Sequence, residues 1–314
     1  MPQRPSALQI VNPLLTNIAT MYRPTKFSLI ADIALPRIPV QKREGTFVKF
    51  TKADRFTVPN TYRGPRAQAN SVYFGQSSDT YSVKDYALND LVLDTEVQNA
   101  SDPLRPQMDA TEGITDLMLM DREVRVASLL TSTANITQNV TLAGVNQWSD
   151  FVNSNPMTDM ETAKGTCFFK PNTVILGKEV YQKVIHHPDL LDRVKYSERG
   201  VLTTELLAML WEVDNVYVAD CRKNTAAEGQ TAAYSYVWGK DVLVAYITQQ
   251  PKVRDVSLGY TFQWTPMGGN GGMRTRVWRE EEYGGGGEMI EVDTALDEKI
   301  VSADVAYLIK AAVA

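Results

Sequence analysis

The chain has 314 residues, 44% of them apolar, and a formal net charge of -5 at pH 7. Its length and composition predict about two domains with a substantial core, and no apolar run approaches the roughly 18 residues that a membrane span needs. The first ten residues, MPQRPSALQI, lack the charged and then apolar layout of a signal peptide, so we expect a protein that is made in the cytosol and has no membrane contact.

The first 40 residues contain six prolines, which predict an arm with short pieces of structure and exclude a long regular element. Asn12 and Pro13 are a cap residue and a first-turn residue, so we expect a short helix that carries Leu14, Leu15 and Ile18. This apolar arm either docks on another molecule or packs on its own core, and the sequence favours neither.

Residues 41–91 carry signals for strands and turns and predict a long hairpin. The apolar phase of its second strand shifts between Val83 and Tyr86, which predicts a β-bulge at Asp85. A two-stranded flap is marginally stable alone in water. We therefore expect it to lie on another surface.

Charge is distributed unevenly along the chain. Residues 42–66 have a local charge of +5 and residues 79–121 a local charge of -8. Such neighbouring segments of opposite sign suit nucleic-acid contact, simple solvation, or complementary surfaces on copies of one protein. The basic residues are Lys42, Arg43, Lys49, Lys52, Arg55, Arg63 and Arg66.

A helical apolar stripe runs through residues 101–133 and predicts a helix of about 25 to 30 residues, roughly 40 Å long. Asp102 and Pro103 are a start signal, and Pro106 allows a later start. On this stripe alone, a long core helix of an unrelated globular protein is the commoner interpretation. The stripe consists of Ala110, Ile114, Leu117, Met120, Val124, Ala127 and Leu130.

The second half of the chain predicts a compact α/β region followed by strands. Residues 135–165 are polar and suggest a loop, and Pro188 should end the helix over residues 178–187. In order, we expect a strand over 173–177, helices over 178–187 and 203–211, a strand over 216–220, and a hairpin of strands 234–238 and 242–247.

The alternation of residues 256–264 predicts a strand with one buried and one solvated face. Glycines follow it, and a return strand over residues 273–279 should complete a hairpin. A further glycine run at residues 284–287 precedes two more apolar segments, at residues 289–292 and 305–309.

No catalytic, metal-binding or cofactor-binding set stands out. The glycine runs lack the Lys and Ser or Thr of a nucleotide loop, and His186 and His187 are adjacent, so they point about 100° apart on a helix and do not grip one metal. Cys167 and Cys221 are too few for a disulfide framework, and both fit buried thiols better than a nucleophile. Three glutamates at 280–282 near three arginines fit a charged hairpin rim.

Four stretches, in this order and spacing, resemble the major capsid proteins of tailed bacteriophages with the Hong Kong 97 type of fold. They are IADIALPRIPVQKREGTFVKF at 30–50, FGQSSDTYSVKDYALNDLV at 74–92, PNTVILGKEVYQKVIHHPDLLDRVKYSERGVLTTELLAML at 171–210 and VWGKDVLVAY at 237–246. The chain departs from the family at residues 159–170, where relatives place a longer helix.

The resemblance implies an α+β capsid fold with four parts. Residues 1–41 would be an N-terminal arm and residues 42–88 an extended β-hairpin loop. Residues 89–135 and about 251–287 would form a peripheral domain around a spine helix over 102–132. Residues from about 136 to 250, with 288–314, would form an α/β axial domain.

The resemblance also implies a structural protein, not an enzyme, that self-assembles into hexamers and pentamers of an icosahedral head around double-stranded DNA. Expected partners are other copies, a separate scaffolding protein, a portal, packaged DNA without sequence-specific contact, and in some phages a decoration protein. We expect it in the virion after assembly in the cytoplasm of the host bacterium. The alternatives are an encapsulin-type compartment shell and, more remotely, an α/β enzyme.

In such a shell we expect the basic loop of one copy to lie on the acidic entrance to a neighbour's spine helix. Exposed ion pairs contribute at most about 1 kcal/mol each, so only their sum over many subunits would matter. The acidic partners predicted for the seven basic residues are Asp94, Glu96, Asp102, Asp109, Glu112 and Asp116.

Overall fold

The computed structural model of the chain describes residues 10–22, 24, 28–49, 58, 60–65, 68–71, 77–100, 104–194, 202–248, 250, 256–268, 272–281 and 286–314. Within these residues, a six-stranded sheet and a five-stranded sheet are accompanied by two separate two-stranded ribbons. The α+β class predicted from the sequence agrees with this mixture of helices and strands.

The strands are β1 (Ile10–Val11), β2 (Arg37–Val40), β3 (Glu44–Lys49), β4 (Ser77–Ser82), β5 (Lys84–Leu93), β6 (Asn139–Thr141), β7 (Thr173–Gly177), β8 (Asn215–Ala219), β9 (Arg222–Asn224), β10 (Tyr234–Tyr236), β11 (Val242–Ala245), β12 (Gly259–Trp264), β13 (Arg274–Glu280), β14 (Gly287–Ile300) and β15 (Ala306–Lys310). The helices are α1 (Pro13–Met21), α2 (Ala31–Ala34), α3 (Asp94–Asn99), α4 (Pro106–Leu130), α5 (Pro156–Thr166), α6 (Lys178–Val184), α7 (Pro188–Val194), α8 (Thr204–Trp211) and α9 (Thr265–Gly268).

The six-stranded sheet is built around β14, which is 14 residues long. One edge of β14 pairs with β5, and the other pairs first with β13 and then with β12, all antiparallel. The predicted hairpin between residues 256–264 and 273–279 is therefore wrong. The two strands lie end to end along β14, because that strand is long enough to pair with both.

Strand β12 is buried on both faces, so the predicted solvated face is also wrong. On one face, the Thr261 hydroxyl donates to the Leu35 carbonyl oxygen at 3.0 Å. On the other, the Phe262 ring stacks on Tyr81 at 4.5 Å and contacts Phe47 at 5.2 Å. Tyr81 and Phe47 belong to β4 and β3, so the base of the hairpin covers the face that was predicted to be buried. The face expected to meet water, which carries Thr261, is covered by the Leu35 carbonyl and the Arg122 guanidinium.

The hairpin of β3 and β4 is confirmed, with six antiparallel residue pairs from Glu44↔Ser82 to Lys49↔Ser77. The predicted bulge at Asp85 is wrong, because Asp85 pairs regularly with Ala295 on β14. The apolar phase shifts instead at the buried Val83, where the chain leaves β3 and joins β14.

The long helix α4 is confirmed but begins at Pro106, later than predicted; residues 101–103 lie outside the described part of the chain. Proline suits the first helical position because the amide hydrogen it lacks would have no helical partner there. The predicted stripe is partly wrong: Leu117 is 58% exposed, and Ala110, Met120 and Val124 are only partly buried. The buried face is Thr111, Ile114, Thr115, Met118, Leu119, Arg122, Glu123, Val126, Ala127 and Leu130.

The five-stranded sheet has the order β6-β15-β11-β7-β8. Its central strand β11 is wholly buried and pairs with β7 and β15, whereas β10 pairs with β9 in a separate ribbon. The predicted hairpin over residues 234–247 is wrong, because an all-apolar strand such as β11 is covered best at the centre of a sheet.

Two helix predictions in this region also need correction. The interval 135–165, predicted as a loop, contains most of α5, whose cap residue Asn155 accepts a hydrogen bond from the Thr158 amide at 3.1 Å. The helix predicted over residues 178–187 ends at Val184, and Pro188 opens α7 instead of only ending α6.

The described part of the predicted arm packs on its own chain. Asn12 caps α1 as predicted, and Leu15 and Ala19 are buried against α4 and β13. Strand β2 extends the six-stranded sheet by pairing in parallel with β12.

The division predicted at residue 288 does not follow the sheets. Strand β14 lies wholly in the six-stranded sheet, on which α4 packs. Only the segment after Ile300 returns to the five-stranded sheet, through β15.

Candidate assembly surfaces

The basic loop predicted as one side of an intersubunit contact includes β3, with Arg43 just before that strand and Lys49 at its end. Arg43 forms an ion pair with Asp85 at 3.0 Å, and its guanidinium lies 4.2 Å from the Trp264 ring centroid. Lys49 pairs with Asp79 at 3.5 Å. These ion pairs go to acids outside the predicted acidic set. Lys42 and Arg63 are exposed, and Lys52, Arg55 and Arg66 lie outside the described residues.

The described acids of the predicted set lie on α3 and on the first half of α4. Asp109, Glu112 and Asp116 occupy positions i, i+3 and i+7, so they lie on one face of α4. The Asp116 carboxylate accepts a hydrogen bond from the Tyr22 hydroxyl at 3.2 Å. Burial, and then this carboxylate, raise the pKa of Tyr22.

Two acids of the set lie on α3, and the last lies outside the described part of the chain. The Asp94 carboxylate binds Arg279 at 2.6 Å, a hydrogen bond that raises the pKa of the guanidinium. Glu96 accepts the Leu93 amide at 3.3 Å. Asp102 is among the residues that are not described.

A buried polar joint, which the apolar pattern of the sequence did not indicate, lies in the middle of α4. Glu123 is 0% exposed, and one carboxylate oxygen accepts the amides of Ile30 at 3.0 Å and Ala31 at 2.8 Å. The other oxygen accepts the Trp238 indole N–H at 2.6 Å. One carboxylate thus links α4 to the start of α2 and to the segment that enters β11.

The preceding residue, Arg122, completes the joint on the six-stranded sheet. Its guanidinium donates to Asp32 at 2.5 Å and to the Thr261 hydroxyl at 3.2 Å. Arg37 binds the same Asp32 carboxylate with two hydrogen bonds of 2.6 and 3.1 Å. The joint therefore connects α4, α2, β2 and β12 at one point.

The two carboxyls of the joint have opposite pKa shifts. Burial raises the pKa of Glu123, because its three donors and nearby Arg122 only partly offset the loss of water. Burial would also raise the pKa of Asp32, but the guanidiniums of Arg122 and Arg37 outweigh it and hold that pKa well below its usual range. The only sequence signal for this joint is the adjacent charged pair Arg122 and Glu123, which lies on the buried face of α4.

A buried serine and histidine, with an exposed aspartate beside them, lie near α7 and raise the question of an enzyme. The His187 Nε2 atom lies 3.0 Å from the Ser154 hydroxyl oxygen, but that hydroxyl donates to the Asp150 carbonyl at 2.6 Å. The histidine therefore donates to the serine and does not accept its proton, the reverse of what a general base needs. Asp189 is 4.0 Å from the other ring nitrogen.

The hydrogen bonds of Ser154 to the Asp150 carbonyl and to His187 hold the loop before α5 in place. Burial lowers the pKa of His187, which keeps the ring neutral.

The cysteines also fit structural roles. Both Cys167 and Cys221 are buried, and burial raises the pKa of the Cys221 thiol to about 11. Within the described residues, no group of three potential metal ligands occurs, and no helix is long and apolar enough to span a membrane.

No protein-family model matches the chain. Its sequence is 30% identical over 315 positions to the major capsid protein of Pseudomonas phage JBD67, an alignment that covers 97% of both chains. The chain belongs to the phage major capsid protein family. It is also 27% identical to the major capsid protein of Burkholderia phage BcepMu, over 98% of both chains.

Solved structures agree on the capsid fold. A phage-related protein from Bordetella bronchiseptica RB50 superimposes with a TM-score of 0.76 and 26% identity, covering 97% of this chain and 98% of the other. The capsid of cyanophage P-SCSP1u gives a TM-score of 0.57 at 12% identity, over 92% of this chain and 90% of the other.

The SrpI encapsulin of Synechococcus elongatus gives a TM-score of 0.55 at 12% identity, over 92% of this chain and 89% of the other. At that identity, the likeness concerns the fold alone. The resemblance drawn from the sequence is thus confirmed. This chain is a capsid protein of the Hong Kong 97 type, which makes it a shell-forming component of a virion.

Proposed function

We propose that copies of this capsid protein form hexamers and pentamers that close an icosahedral shell around double-stranded DNA. The observation that carries the proposal is the 30% identity with a phage major capsid protein across 97% of the chain. Chemistry is not part of this role, and the hydrogen-bond direction at Ser154 favours a structural protein. Assembly takes place in the cytoplasm of the host bacterium.

The sheets support a four-part division with one boundary moved. Residues 1–41 form the N-terminal arm and residues 42–88 the extended loop. We assign residues 89–135 and about 251–300 to the peripheral domain, because β14 pairs with β5, β12 and β13. The axial domain then comprises residues from about 136 to 250 and 301–314.

Head-to-tail contact between two different patches of one chain closes into rings. In our proposal, the basic loop of one subunit lies on the acidic face of a neighbour's α4, at Asp109, Glu112 and Asp116. Arg43 and Lys49 already have acidic partners inside their own chain, so they contribute less to this contact than their charge suggests. Their exposed pairs add at most about 1 kcal/mol each.

Electron microscopy of the protein, expressed with and without its neighbouring phage genes, tests the shell function. Closed shells support the proposal, and a dispersed monomer under all conditions overturns it. A particle filled with genome distinguishes a phage head from a compartment that encloses enzyme cargo, the encapsulin alternative.

Charge reversal tests the loop contact. Reversal of Lys49, Lys52 and Arg55 to glutamate should lower shell yield and change its salt dependence, and Asp109→Lys with Glu112→Lys should restore part of the yield. A matched control reverses three bases of the axial domain, Lys170, Lys178 and Arg193. Unchanged yield and salt dependence in the loop variant refute the contact.

The remaining partners follow from this role. A separate scaffolding protein would direct curvature, and a portal would occupy one vertex; some shells also bind a decoration protein. Packaged DNA would meet the shell without sequence-specific contact, since an acidic protein of net charge -5 does not hold phosphate strongly. The same net negative charge favours the packaging and ejection of DNA, because a shell that bound DNA strongly would hinder both.

A further inference from the structure

The first described segment presents an apolar surface that carries no charge. Residues 10–22 contain no Lys, Arg, Asp or Glu. Four of their large apolar side chains are exposed, Ile10 by 60%, Val11 by 46%, Leu14 by 59% and Met21 by 79%. We call these four residues the β1–α1 face. Apolar patches of this kind on soluble proteins mark interaction sites.

The β1–α1 face is anchored to the rest of the chain at both ends of α1. Helix α1 turns Leu15 and Ala19 inward, whereas Leu14, Asn17 and Met21, at positions i, i+3 and i+7, share the outer side. The Asn12 amide donates to the Thr275 carbonyl at 3.2 Å, which ties the helix start to β13. The hydrogen bond from Tyr22 to Asp116 ties its end to α4.

We propose that the β1–α1 face is a two-fold contact with a second copy of the chain, distinct from the head-to-tail loop contact. This inference rests on the proposed shell function, because a shell needs contacts between rings as well as within them. A two-fold contact uses the same patch on both subunits, so that residue i of one copy meets residue j of the other and the reverse. An uncharged apolar face suits that symmetry, since no like charges are brought together.

The surroundings of the face favour an antiparallel arrangement of the two helices. Glu112 and Asp116 lie near the carboxyl end of α1, as their influence on Tyr22 shows. In an antiparallel pair these acids face the amino-terminal end of the partner's helix, where the helix dipole attracts negative charge. A parallel pair would place the acids of both copies together.

Cysteine scanning tests the symmetry directly. Single variants Leu14→Cys, Asn17→Cys and Met21→Cys are assembled into shells, oxidised and run on a non-reducing gel. A disulfide requires Cα atoms within about 7 Å, so at least one position near the two-fold axis should give a chain dimer. Both native cysteines are buried and leave a low background. Val152→Cys, at an exposed loop residue elsewhere, is the control and should stay monomeric.

A second variant separates ring formation from shell closure. Leu14→Asp combined with Met21→Asp changes exposed side chains, so the subunit should fold and still form hexamers and pentamers, but closed shells should be lost. The proposal is overturned if none of the three cysteine variants gives a chain dimer in closed shells. It is also overturned if the disulfide forms with a co-expressed protein. If the wild type forms no shells, the proposed function itself has failed.

Discussion

The buried carboxylate of Glu123 provides the sharpest test of how the fold is held together. Glu123→Leu removes the acceptor of three donors, the amides of Ile30 and Ala31 and the indole of Trp238. Each buried donor left without an acceptor costs about 1–3 kcal/mol. Allowing for relaxation, we expect a loss of about 3–6 kcal/mol, a large part of the roughly 5–15 kcal/mol that stabilises a typical domain.

Glu123→Gln keeps the volume and one acceptor oxygen, so it should lose less, about 1–3 kcal/mol. Urea unfolding of unassembled subunits, followed by tryptophan fluorescence, measures both variants. The control Glu161→Leu replaces an exposed glutamate on α5 and should change the unfolding free energy by less than about 0.5 kcal/mol.

A double-mutant cycle with Trp238→Phe isolates the link between α4 and the segment before β11. The phenylalanine substitution should cost less in the Glu123→Leu background than alone, with a coupling of about 0.5–3 kcal/mol. Additive losses, or Glu123→Leu as stable as the wild type, would refute the structural role of this carboxylate.

Three further changes test the surrounding packing in the same unfolding assay. Asp32→Asn should be most damaging at neutral pH: the pKa of Asp32 is depressed in the fold, so its stabilisation is present above the unfolded pKa of about 3.9 and is lost as the pH falls through the folded value. An equal loss at pH 7 and pH 2 would contradict this. Thr261→Val should cost about 1–2 kcal/mol, because Arg122 loses an acceptor, and an unchanged midpoint would exclude that bond. Gly177→Ala should cost about 1–3 kcal/mol, because its Cβ would overlap the Gly239 carbonyl; a neutral result would show that the turn yields.

Local signals predicted local structure well. Asn12 before Pro13 marked the start of α1, and Thr203 caps α8 at the predicted helix start. The short apolar runs at β7 and β15 were also found, since a buried strand needs little more than its own side chains to be recognised.

Long-range pairing was not predictable by the same means. Residues 242–247 resemble one arm of a hairpin, yet β11 pairs with β7 and β15 from distant parts of the chain. Alternation in residues 256–264 indicated a solvated face, yet Thr261 on that face is buried under the Leu35 carbonyl and the Arg122 guanidinium. Tertiary contacts decided both features, and a single sequence does not display them.

The candidate site shows a similar limit. The stripe prediction for α4 assumed that apolar side chains mark the inner face, which placed the exposed Leu117 inside and left Arg122 and Glu123 outside. Buried charges are rare because they must be fully paired. The fold explains both inward charges, because Arg122 pairs with Asp32 and Glu123 accepts the amides of Ile30 and Ala31. The sequence alone does not show where these partners lie.

The two proposed contacts should respond to salt in opposite ways. The loop contact consists of exposed charge pairs worth at most about 1 kcal/mol each, and salt screens them. Full burial of an apolar side chain such as Leu14 or Met21 contributes about 1.5–3 kcal/mol, and salts such as sulfate strengthen it. We therefore expect sodium chloride to weaken rings more than the contacts between them, and sulfate to favour closed shells. Light scattering across both salts, with Leu14→Asp as the comparison, measures this difference. If the two salts act alike on the wild type, the contacts are not divided between charge and apolar burial in this way.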